Sequence, residues 1–194
     1  PETLERNLAV RSGSGARRLK RLAQQLNLKY RVVGGLERRL LRRRPAPWVI
    51  AISDYVSAQL QRHYRFDPAR IRRIFNGVDP DRTPPEERAR QRAALREQYG
   101  LKSQDLFLLC VAHNFKLKGV ARLIEALAEA RGRRLADNRP AFAVIVGRDN
   151  PRTLARLARK RGVADRVLFV GPTQRMASFY HAADVLAHPT YYDP

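Results

Sequence analysis

Residues 105–127 read DLFLLCVAHNFKLKGVARLIEAL, and the fold can be worked out from this stretch. Its apolar run from Leu106 to Val111 is bounded by Asp105 in front and by His113-Asn114 behind. A continuous apolar run of this length predicts a strand buried on both faces of a sheet. Between 120 and 127, apolar residues then recur at the spacing of one helical face. The stretch therefore predicts a buried strand that leads through a short loop into a helix.

The loop between this strand and helix has the composition of a phosphate-binding site. Lys116 and Lys118 supply positive charge, and Gly119 lets a ligand approach the backbone closely. The start of the following helix adds N–H groups that have no partner within the helix. The alternative is an ordinary strand–helix turn whose lysines are only solvated, and the loop by itself does not decide between the two.

Three further apolar runs follow, at residues 141–146, 167–170 and 184–188, with helical patterns between them. Neighbouring parallel strands need crossover helices, so this alternation predicts a doubly wound, parallel α/β sheet. In such sheets, ligands bind beyond the carboxyl ends of the strands. Glycines, cations and acidic residues would converge at this edge, as in a nucleotide site. The residues predicted to meet there are Lys116, Lys118, Gly147, Arg148, Asp149, Gly171, Pro172, Thr173 and residues 188–193.

Polar residues and prolines predict where the helices begin and end. Asn150-Pro151 can open a helix, with Asn150 as its cap, and Gly162 can end it. Thr173 is predicted to cap the next helix, and residues 83–86, Thr-Pro-Pro-Glu, have the spacing of a capping box. The apolar stripe of the helix after Thr173 is predicted to be Met176, Phe179 and Tyr180.

Two more strands are predicted before residue 78, at 48–52 and 71–75, with a helix that begins at Ser53 between them. Residues 78–85 are polar and proline-rich, and they are predicted to be a linker between domains. Basic amphipathic helices precede the first of these strands, and such helices can lie on a membrane or cover a sheet. Their leucines are Leu19, Leu22 and Leu26 and, after Gly34-Gly35, Leu36 and Leu40.

Composition narrows the class of protein. The chain has 194 residues, 44% of them hydrophobic, which is enough for one domain or for parts of two. No apolar run approaches the length of a membrane span, and no secretory signal opens the chain. Its single cysteine, Cys110, lies within a predicted buried strand, so we expect a structural thiol in a reducing compartment. Because Pro1 is not Met, we expect a processed or truncated start.

The formal net charge of +21 is concentrated in the first part of the chain. Residues 1–78 carry 18 basic and 5 acidic side chains, a net charge of +13, against +8 for residues 79–194. No helix-turn-helix, zinc-finger spacing or aromatic-rich RNA-binding motif accompanies this charge. A basic face that docks on an anionic membrane is the main interpretation. The 33 arginines against 6 lysines also fit the codon preference of a GC-rich genome, and nucleic-acid binding is the third alternative.

Six motifs, in order and spacing from about Trp48 to the end, resemble family-four glycosyltransferases. The variants AHNFKLKG and HPTYYDP are most similar to the branch that adds glucose to the heptose core of lipopolysaccharide. The motifs are AISDYVSAQLQRHY (51–64), RIRRIFNGVDP (70–80), VAHNFKLKGVARLIEAL (111–127), FAVIVGRD (142–149), GVADRVLFVGP (162–172) and FYHAADVLAHPTYYDP (179–194).

The resemblance implies a retaining hexosyltransferase of the GT-B fold, which has two facing Rossmann-like domains. Residues 1–77 would be the end of the N-terminal acceptor domain, 78–85 the linker, and 86–194 the nucleotide-sugar-binding domain, cut short at its C-terminus. The implied donor is UDP-glucose or a similar nucleotide sugar, and the acceptor is a glycan or the lipid-linked lipopolysaccharide core. The resemblance implies no metal ion and no other cofactor. The single cysteine and the basic first part of the chain predict a cytoplasmic enzyme that lies peripherally on the inner face of the cytoplasmic membrane.

The resemblance also assigns roles to residues. The loop from Ala112 to Gly119, which includes His113, Asn114 and Lys116, would hold the donor diphosphate. Lys118 matches the lysine of the family, whereas His113 stands where the family usually has arginine. Residues 171–173 would contact the base, and Tyr191 would lie with the donor. Asp193 matches the first of two paired acids, and the second would follow eight positions later, so the two residues expected to be catalytic are Lys118 and Asp193.

Two other classes of function share some of these features. A nucleotide-sugar epimerase of the same architecture would hold a diphosphate at the same loop but would not use a lipid acceptor. A basic module that binds nucleic acid or membranes would leave the cations of the loop without a role. We favour the transferase, without a nucleic-acid partner, and expect the 194-residue chain alone to transfer no sugar.

Overall fold

The structure, a computed structural model, describes residues 28–132 and 139–191. For residues 28–31 and 132 only the backbone is described. The chain divides into two compact units, and the boundary lies between Pro80 and Asp81, within the segment 78–85 predicted to be the linker. The predicted helix face of Leu19, Leu22 and Leu26 lies outside the described residues.

The described part of the first unit contains two parallel strands and two helices. Strand β1 (Val49–Ala51) pairs with β2 (Ile71–Arg73) so that Val49 lies opposite Ile71. Ser53 caps helix α2, because its hydroxyl accepts a hydrogen bond of 3.2 Å from the backbone N–H of Val56. The two strands are shorter than predicted, and helix α1 continues through Gly34-Gly35. The elements are α1 (Leu28–Leu41), β1 (Val49–Ala51), α2 (Asp54–Tyr64), a short 3-10 turn (Pro68–Arg70) and β2 (Ile71–Arg73).

The second unit alternates helices and strands along the chain. Its last strand, β6 (Val185–Leu186), pairs with β3 (Leu106–Val111), which is an interior strand of the sheet. The elements are α3 (Pro85–Gln98), β3 (Leu106–Val111), α4 (Val120–Gly132), β4 (Ala141–Val146), α5 (Arg152–Lys160), a 3-10 turn (Ala164–Arg166), β5 (Val167–Gly171), α6 (Met176–Ala182) and β6 (Val185–Leu186).

Strands β3 to β6 form one parallel sheet in the order β5-β4-β3-β6. Alternate residues of each strand point to opposite faces, so Ile145 and Val146 enter different apolar clusters. Helices α4 and α5 cover the face that includes Ile145, and α3 and α6 cover the face that includes Val146. This arrangement confirms the predicted doubly wound, Rossmann-like α/β sheet. Among the described residues, no helix is long and apolar enough to cross a membrane.

Several predicted boundaries are wrong. The strand predicted at 184–188 is only Val185–Leu186. At its amino end, the carboxylate of Asp184 accepts the backbone N–H of Phe107 at 2.7 Å in place of a backbone carbonyl. The capping box at 83–86 does not form: Pro84 occupies the N-cap without a side-chain bond, and the backbone N–H of Thr83 bonds to Asp81 instead.

Two other residues predicted to be helix caps, Asn150 and Thr173, lie before the N-cap residue and form turns there. Pro151 is the N-cap of α5, and the side-chain oxygen of Asn150 accepts the backbone N–H of Arg152 at 3.0 Å. The hydroxyl of Thr173 accepts the backbone N–H of Arg175, which is itself the N-cap of α6. In both places the polar side chain satisfies a donor near the helix start without being the cap.

A group of charged side chains fastens the amino end of the sheet. Arg96 of α3 is 4% exposed, and its guanidinium donates to the carbonyls of Ala182 at 3.0 Å and Lys102 at 2.9 Å, and to that of Asp105. It also lies 3.3 Å from the carboxylate of Asp184, and Arg92 lies 2.5 Å from the same carboxylate. This cluster of Arg92, Arg96 and Asp184, the amino-end cluster below, ties α3 to the junction of α6 and β6.

The surroundings of Asp184 favour its charged form. Burial would raise the pKa of this carboxyl, but the hydrogen bond from Phe107 and the guanidinium groups of Arg92 and Arg96 together outweigh burial. The pKa of Asp184 is therefore lowered from its ordinary value of 3.8. The carboxylate stays ionised at neutral pH and pairs with both guanidinium groups.

Candidate functional site

A cleft of about 490 Å³ opens beyond the carboxyl ends of strands β3 to β6. Its volume falls in the range of roughly 300–1,000 Å³ that is usual for ligand sites. Its position is the one that doubly wound sheets use for ligands. The lining residues are Val111, Ala112, His113, Lys118, Val146, Gly147, Pro172, Thr173, Met176, Tyr180, Leu186 and His188.

The base of the cleft depends on a close approach between two strand ends. Gly147 has φ +150°, and a Cβ built on it would lie 1.7 Å from the carbonyl oxygen of Ala112. The ladder continues around this point, because the N–H of Ala112 bonds to the carbonyl of Val146 at 2.8 Å and the N–H of Gly147 bonds to that of Gly171 at 2.9 Å. Only glycine combines this backbone angle with this approach.

The loop from Ala112 to Gly119 is shaped by its own hydrogen bonds. The side-chain oxygen of Asn114 accepts the N–H of Leu117 at 2.9 Å, and its carbonyl accepts the N–H of Lys118 at 2.9 Å. Asp149, which follows the next strand, accepts the N–H of Phe115 at 2.8 Å. The loop is thus fixed from inside by Asn114 and from the neighbouring strand end by Asp149, and it presents Lys118 to the cleft.

The segment after β6 approaches the same loop from another side. A Cβ built on Gly119 would lie 1.9 Å from the carbonyl oxygen of Pro189. The N–H of Tyr191 bonds to the carbonyl of Leu117 at 3.0 Å. His188, which immediately precedes this segment, lines the cleft.

The structure brings most of the predicted donor residues to this edge of the sheet. Lys116 and Arg148 are exposed and do not line the cleft, and Asp193 lies outside the described residues. The predicted residues that line the cleft are Ala112, His113, Lys118, Gly147, Pro172 and Thr173. Those that shape its loops are Asn114, Gly119, Asp149, Gly171 and Tyr191.

Sequence reasoning misses the apolar wall of the cleft. Met176 and Tyr180 lie one turn apart on α6 and line the cleft, whereas Phe179 is 1% exposed in the core. The three residues therefore do not form the single buried stripe that the sequence predicts. The spacing of four between Met176 and Tyr180, directly after the loop at 171–173, is the signal that could have identified this face.

The described residues contain neither a cluster that could hold a metal ion nor a reactive cysteine. No three His, Cys, Asp or Glu side chains there come together in a way that could hold a metal ion. Cys110 is buried, as predicted, and burial raises the pKa of its thiol to about 11. A protonated, buried thiol is a poor nucleophile, so Cys110 is a structural residue.

Comparison with known families connects the two units to glycosyltransferases. Residues 91–194 match the family described as Glycosyl transferases group 1, and residues 11–82 match Glycosyltransferase Family 4. The first match alone covers more than half of the chain.

Individual relatives of the chain are also glycosyltransferases by name. The chain is 34% identical to the lipopolysaccharide glucosyltransferase WaaG of Escherichia coli (strain K12), over 86% of this chain and 44% of the relative. It is 36% identical to D-inositol 3-phosphate glycosyltransferase 2 of Catenulispora acidiphila, over 74% of this chain and 34% of that protein. The chain thus spans less than half the length of these curated relatives.

Solved structures support the fold class and the family. The crystal structure of WaaG, a glycosyltransferase involved in lipopolysaccharide biosynthesis, superimposes with a TM-score of 0.76 at 30% identity, over 96% of this chain and 48% of that chain. A glycosyltransferase from Rickettsia africae, at 21% identity and a TM-score of 0.61, covers 72% of this chain and 37% of that one and supports the fold alone. The predicted GT-B type of Rossmann-like fold is confirmed, and the chain belongs to the group 1 family of glycosyl transferases.

Proposed function

We propose that this chain carries the donor site of a retaining glycosyltransferase that moves a hexose from UDP-glucose or a similar nucleotide sugar to a glycan. The observation that supports the proposal most directly is the cleft, where Lys118 and the loops at Gly147 and 171–173 meet beyond the strand ends. The acceptor we propose is a lipopolysaccharide core, in line with the printed name of the Escherichia coli relative.

The cleft offers different surroundings to the different parts of such a donor. Lys118 and the backbone of residues 112–119 suit a diphosphate, which needs cations and N–H donors. Met176, Tyr180 and Leu186 provide an apolar wall suited to a ring system. Pro172 and Thr173 also line the cleft, and the proposal assigns the base of the nucleotide to this loop.

The chemistry that the proposal assigns to these residues is stabilisation of a leaving group. Breaking the bond between the sugar and the phosphate builds negative charge on the departing diphosphate, and donors fixed in advance lower the barrier. Lys118 would form a charge-assisted hydrogen bond with that diphosphate. Lys116, which is exposed on the same loop, would be a second cation, and His113 occupies the position of the arginine usual in the family. In this proposal side chains and backbone stabilise the charge, without a metal ion or other cofactor.

Asp193 completes the proposed donor site. We propose that it contacts the donor, as the resemblance to family-four enzymes implies. The position of Asp193 after His188, which lines the cleft, is consistent with this role.

The acceptor side of the proposal rests on residues 1–77. Residues 1–78 have a net charge of +13, which suits reversible docking on the anionic inner face of the cytoplasmic membrane. Binding of this kind should weaken steeply between 0.1 M and 1 M salt, because the Debye length shrinks from roughly 10 Å to about 3 Å. Co-sedimentation with anionic vesicles that is equally strong at both salt concentrations would exclude docking by charge.

The donor site is tested by replacing its cation. In the full-length protein, Lys118→Ala should weaken UDP binding by about 1.5–3 kcal/mol, because the diphosphate loses one charge-assisted bond. Isothermal titration calorimetry measures the change. The matched control is Arg156→Ala, which removes an exposed cation on α5 and should leave UDP affinity as it is. Unchanged affinity in Lys118→Ala would remove this lysine from the donor site.

A transfer assay separates the proposal from its alternatives. Radiolabelled UDP-glucose with a heptosylated lipopolysaccharide acceptor should yield labelled acceptor and UDP. An epimerase would instead convert the free nucleotide sugar and ignore the acceptor. A nucleic-acid-binding module would bind DNA with a steep salt dependence and would be indifferent to the donor. Family membership favours the first result.

A further inference from the structure

The segment Pro189–Tyr191, called the strap below, lies along the loop that presents Lys118. The carbonyl of Leu117 accepts two hydrogen bonds from it, one of 3.0 Å from the N–H of Tyr191 and one of 3.2 Å from the hydroxyl of Thr190. A carbonyl has two acceptor sites, and the strap supplies a donor for each.

The strap also contacts the residue on the other side of Lys118. Gly119 has φ +69°, and its backbone lies so close to Pro189 that an added Cβ would be 1.9 Å from the carbonyl oxygen and 2.9 Å from the carbonyl carbon. Leu117 and Gly119, the two chain neighbours of Lys118, are therefore both held by the strap. The N–H of Lys118 itself bonds to the carbonyl of Asn114 at 2.9 Å.

The far end of the strap is anchored on helix α4. Arg122 lies in the first turn of this helix, and its Nε donates to the hydroxyl of Tyr191 at 3.1 Å. A second donor of Arg122 meets the carboxylate of Glu125 at 2.9 Å. The hydrogen bond with Tyr191, followed by that with Glu125, raises the pKa of Arg122. The guanidinium thus joins the strap to the helix that begins where the loop ends.

We propose that Thr190, Tyr191 and Arg122 are positioning residues for the donor diphosphate. They act on Lys118 through its neighbours Leu117 and Gly119 and keep its side chain directed into the cleft before the donor arrives. Preorganisation of this kind lowers the entropy lost when a ligand binds. The inference rests on the proposed donor site and adds residues that lie outside the cleft lining.

The test uses conservative variants of the full-length protein and UDP as the probe. Tyr191→Phe removes the hydrogen bond between Tyr191 and Arg122, and Arg122→Met removes that bond together with the exposed ion pair to Glu125. Loss of the shared bond should raise the Kd for UDP roughly two- to thirteenfold in each variant. The double variant should bind UDP as Arg122→Met does, because Arg122→Met already removes the only bond that Tyr191→Phe is designed to break. Thr190→Val should weaken binding similarly, and Thr190→Ser, which keeps the hydroxyl, should restore it.

A second readout separates positioning from general stability. Amide hydrogen exchange in the absence of UDP should accelerate for peptides that cover residues 112–120 in Tyr191→Phe, and should not change for strand 141–146. If the wild-type protein binds UDP and these variants bind it equally well, the positioning role is overturned while the donor site stands. If exchange accelerates everywhere, the strap only stabilises the fold, and the inference fails. If the wild-type protein does not bind UDP, the proposed function fails and the inference fails with it.

Discussion

At the amino end of the four-stranded sheet, Arg96 is 4% exposed and donates to backbone carbonyls of two different segments, the loop at 102–105 and the end of α6. At the carboxyl end of the same sheet, Lys118 lines an open cleft of about 490 Å³. Both side chains carry one positive charge. One is enclosed by groups of its own chain, and the other faces a space that a ligand can enter. Two glycines lie at this carboxyl end, where Gly147 and Gly119 each allow two backbone segments to come into close contact.

The contrast shows how a strongly basic chain should be interpreted. The net charge of +21 counts Arg96 and Lys118 equally, although one supports the fold and the other is proposed to bind a ligand. Burial and the identity of the partners separate the two uses. A cation whose donors meet carbonyls and a carboxylate has its charge satisfied within the fold.

The largest expected effect comes from breaking the amino-end cluster. Arg96→Ala should lower the free energy of unfolding by about 3–5 kcal/mol, because it leaves several carbonyls without this buried donor and removes one of the two arginines paired with Asp184. The control is Arg90→Ala, whose salt bridge with Glu87 is exposed and should contribute at most about 1 kcal/mol. Urea unfolding measures both. Equal losses in the two variants would show that burial does not distinguish these arginines.

A somewhat smaller effect is expected from filling the close approach at the carboxyl end. Gly147→Ala combines an unfavourable φ with a collision against Ala112, and should cost about 2–5 kcal/mol. Gly162→Ala is the matched control, because its φ of +71° is also positive but no atom lies within 4 Å of the added carbon. Its cost should be only the backbone strain of about 1–2 kcal/mol. If thermal unfolding ranks the two variants alike, the approach beneath the cleft is less tight than described.

The smallest expected effect is on how the free energy of unfolding depends on pH, and it comes from Asp184 of the amino-end cluster. The pKa of Asp184 is lowered in the fold, so its contribution to stability is present above its ordinary value of 3.8 and is lost as the pH falls through the lowered value. The unfolding free energy of the wild-type protein should therefore fall more between pH 5 and pH 2 than that of Asp184→Asn. Parallel curves for the two proteins would contradict this assignment.

The central strands could be predicted to the residue. Leu106–Val111 and Ala141–Val146 are buried on both faces, so their apolar runs begin and end with the strands themselves. The edge strand β6 could not, because the side chain of Asp184 takes the place of a backbone acceptor. The position of the loop at 112–119 between strand and helix was likewise predictable, whereas its role in binding phosphate stays a prediction. Each of these elements could be predicted because the residues that specify it are adjacent in the sequence.

The parts that escaped prediction depend on residues far apart in the chain. Arg92 and Arg96 meet Asp184 across about ninety residues, and nothing in either segment indicates the other. Arg122 would pass as a surface cation of α4, yet it donates to Tyr191. The cleft wall of Met176 and Tyr180 was missed because an apolar helical face predicts burial, whether against a core or against a ligand.

The approach of Gly119 to Pro189 has a consequence for how this chain can change. The oxygen and carbon that a side chain at position 119 would strike belong to the backbone of Pro189, which every amino acid possesses. No replacement at position 189 could therefore make room by being smaller. In a library that randomises both positions together, selection for a folded protein should recover glycine at 119 beside many different residues at 189, so the dependence of the two sites runs in one direction only.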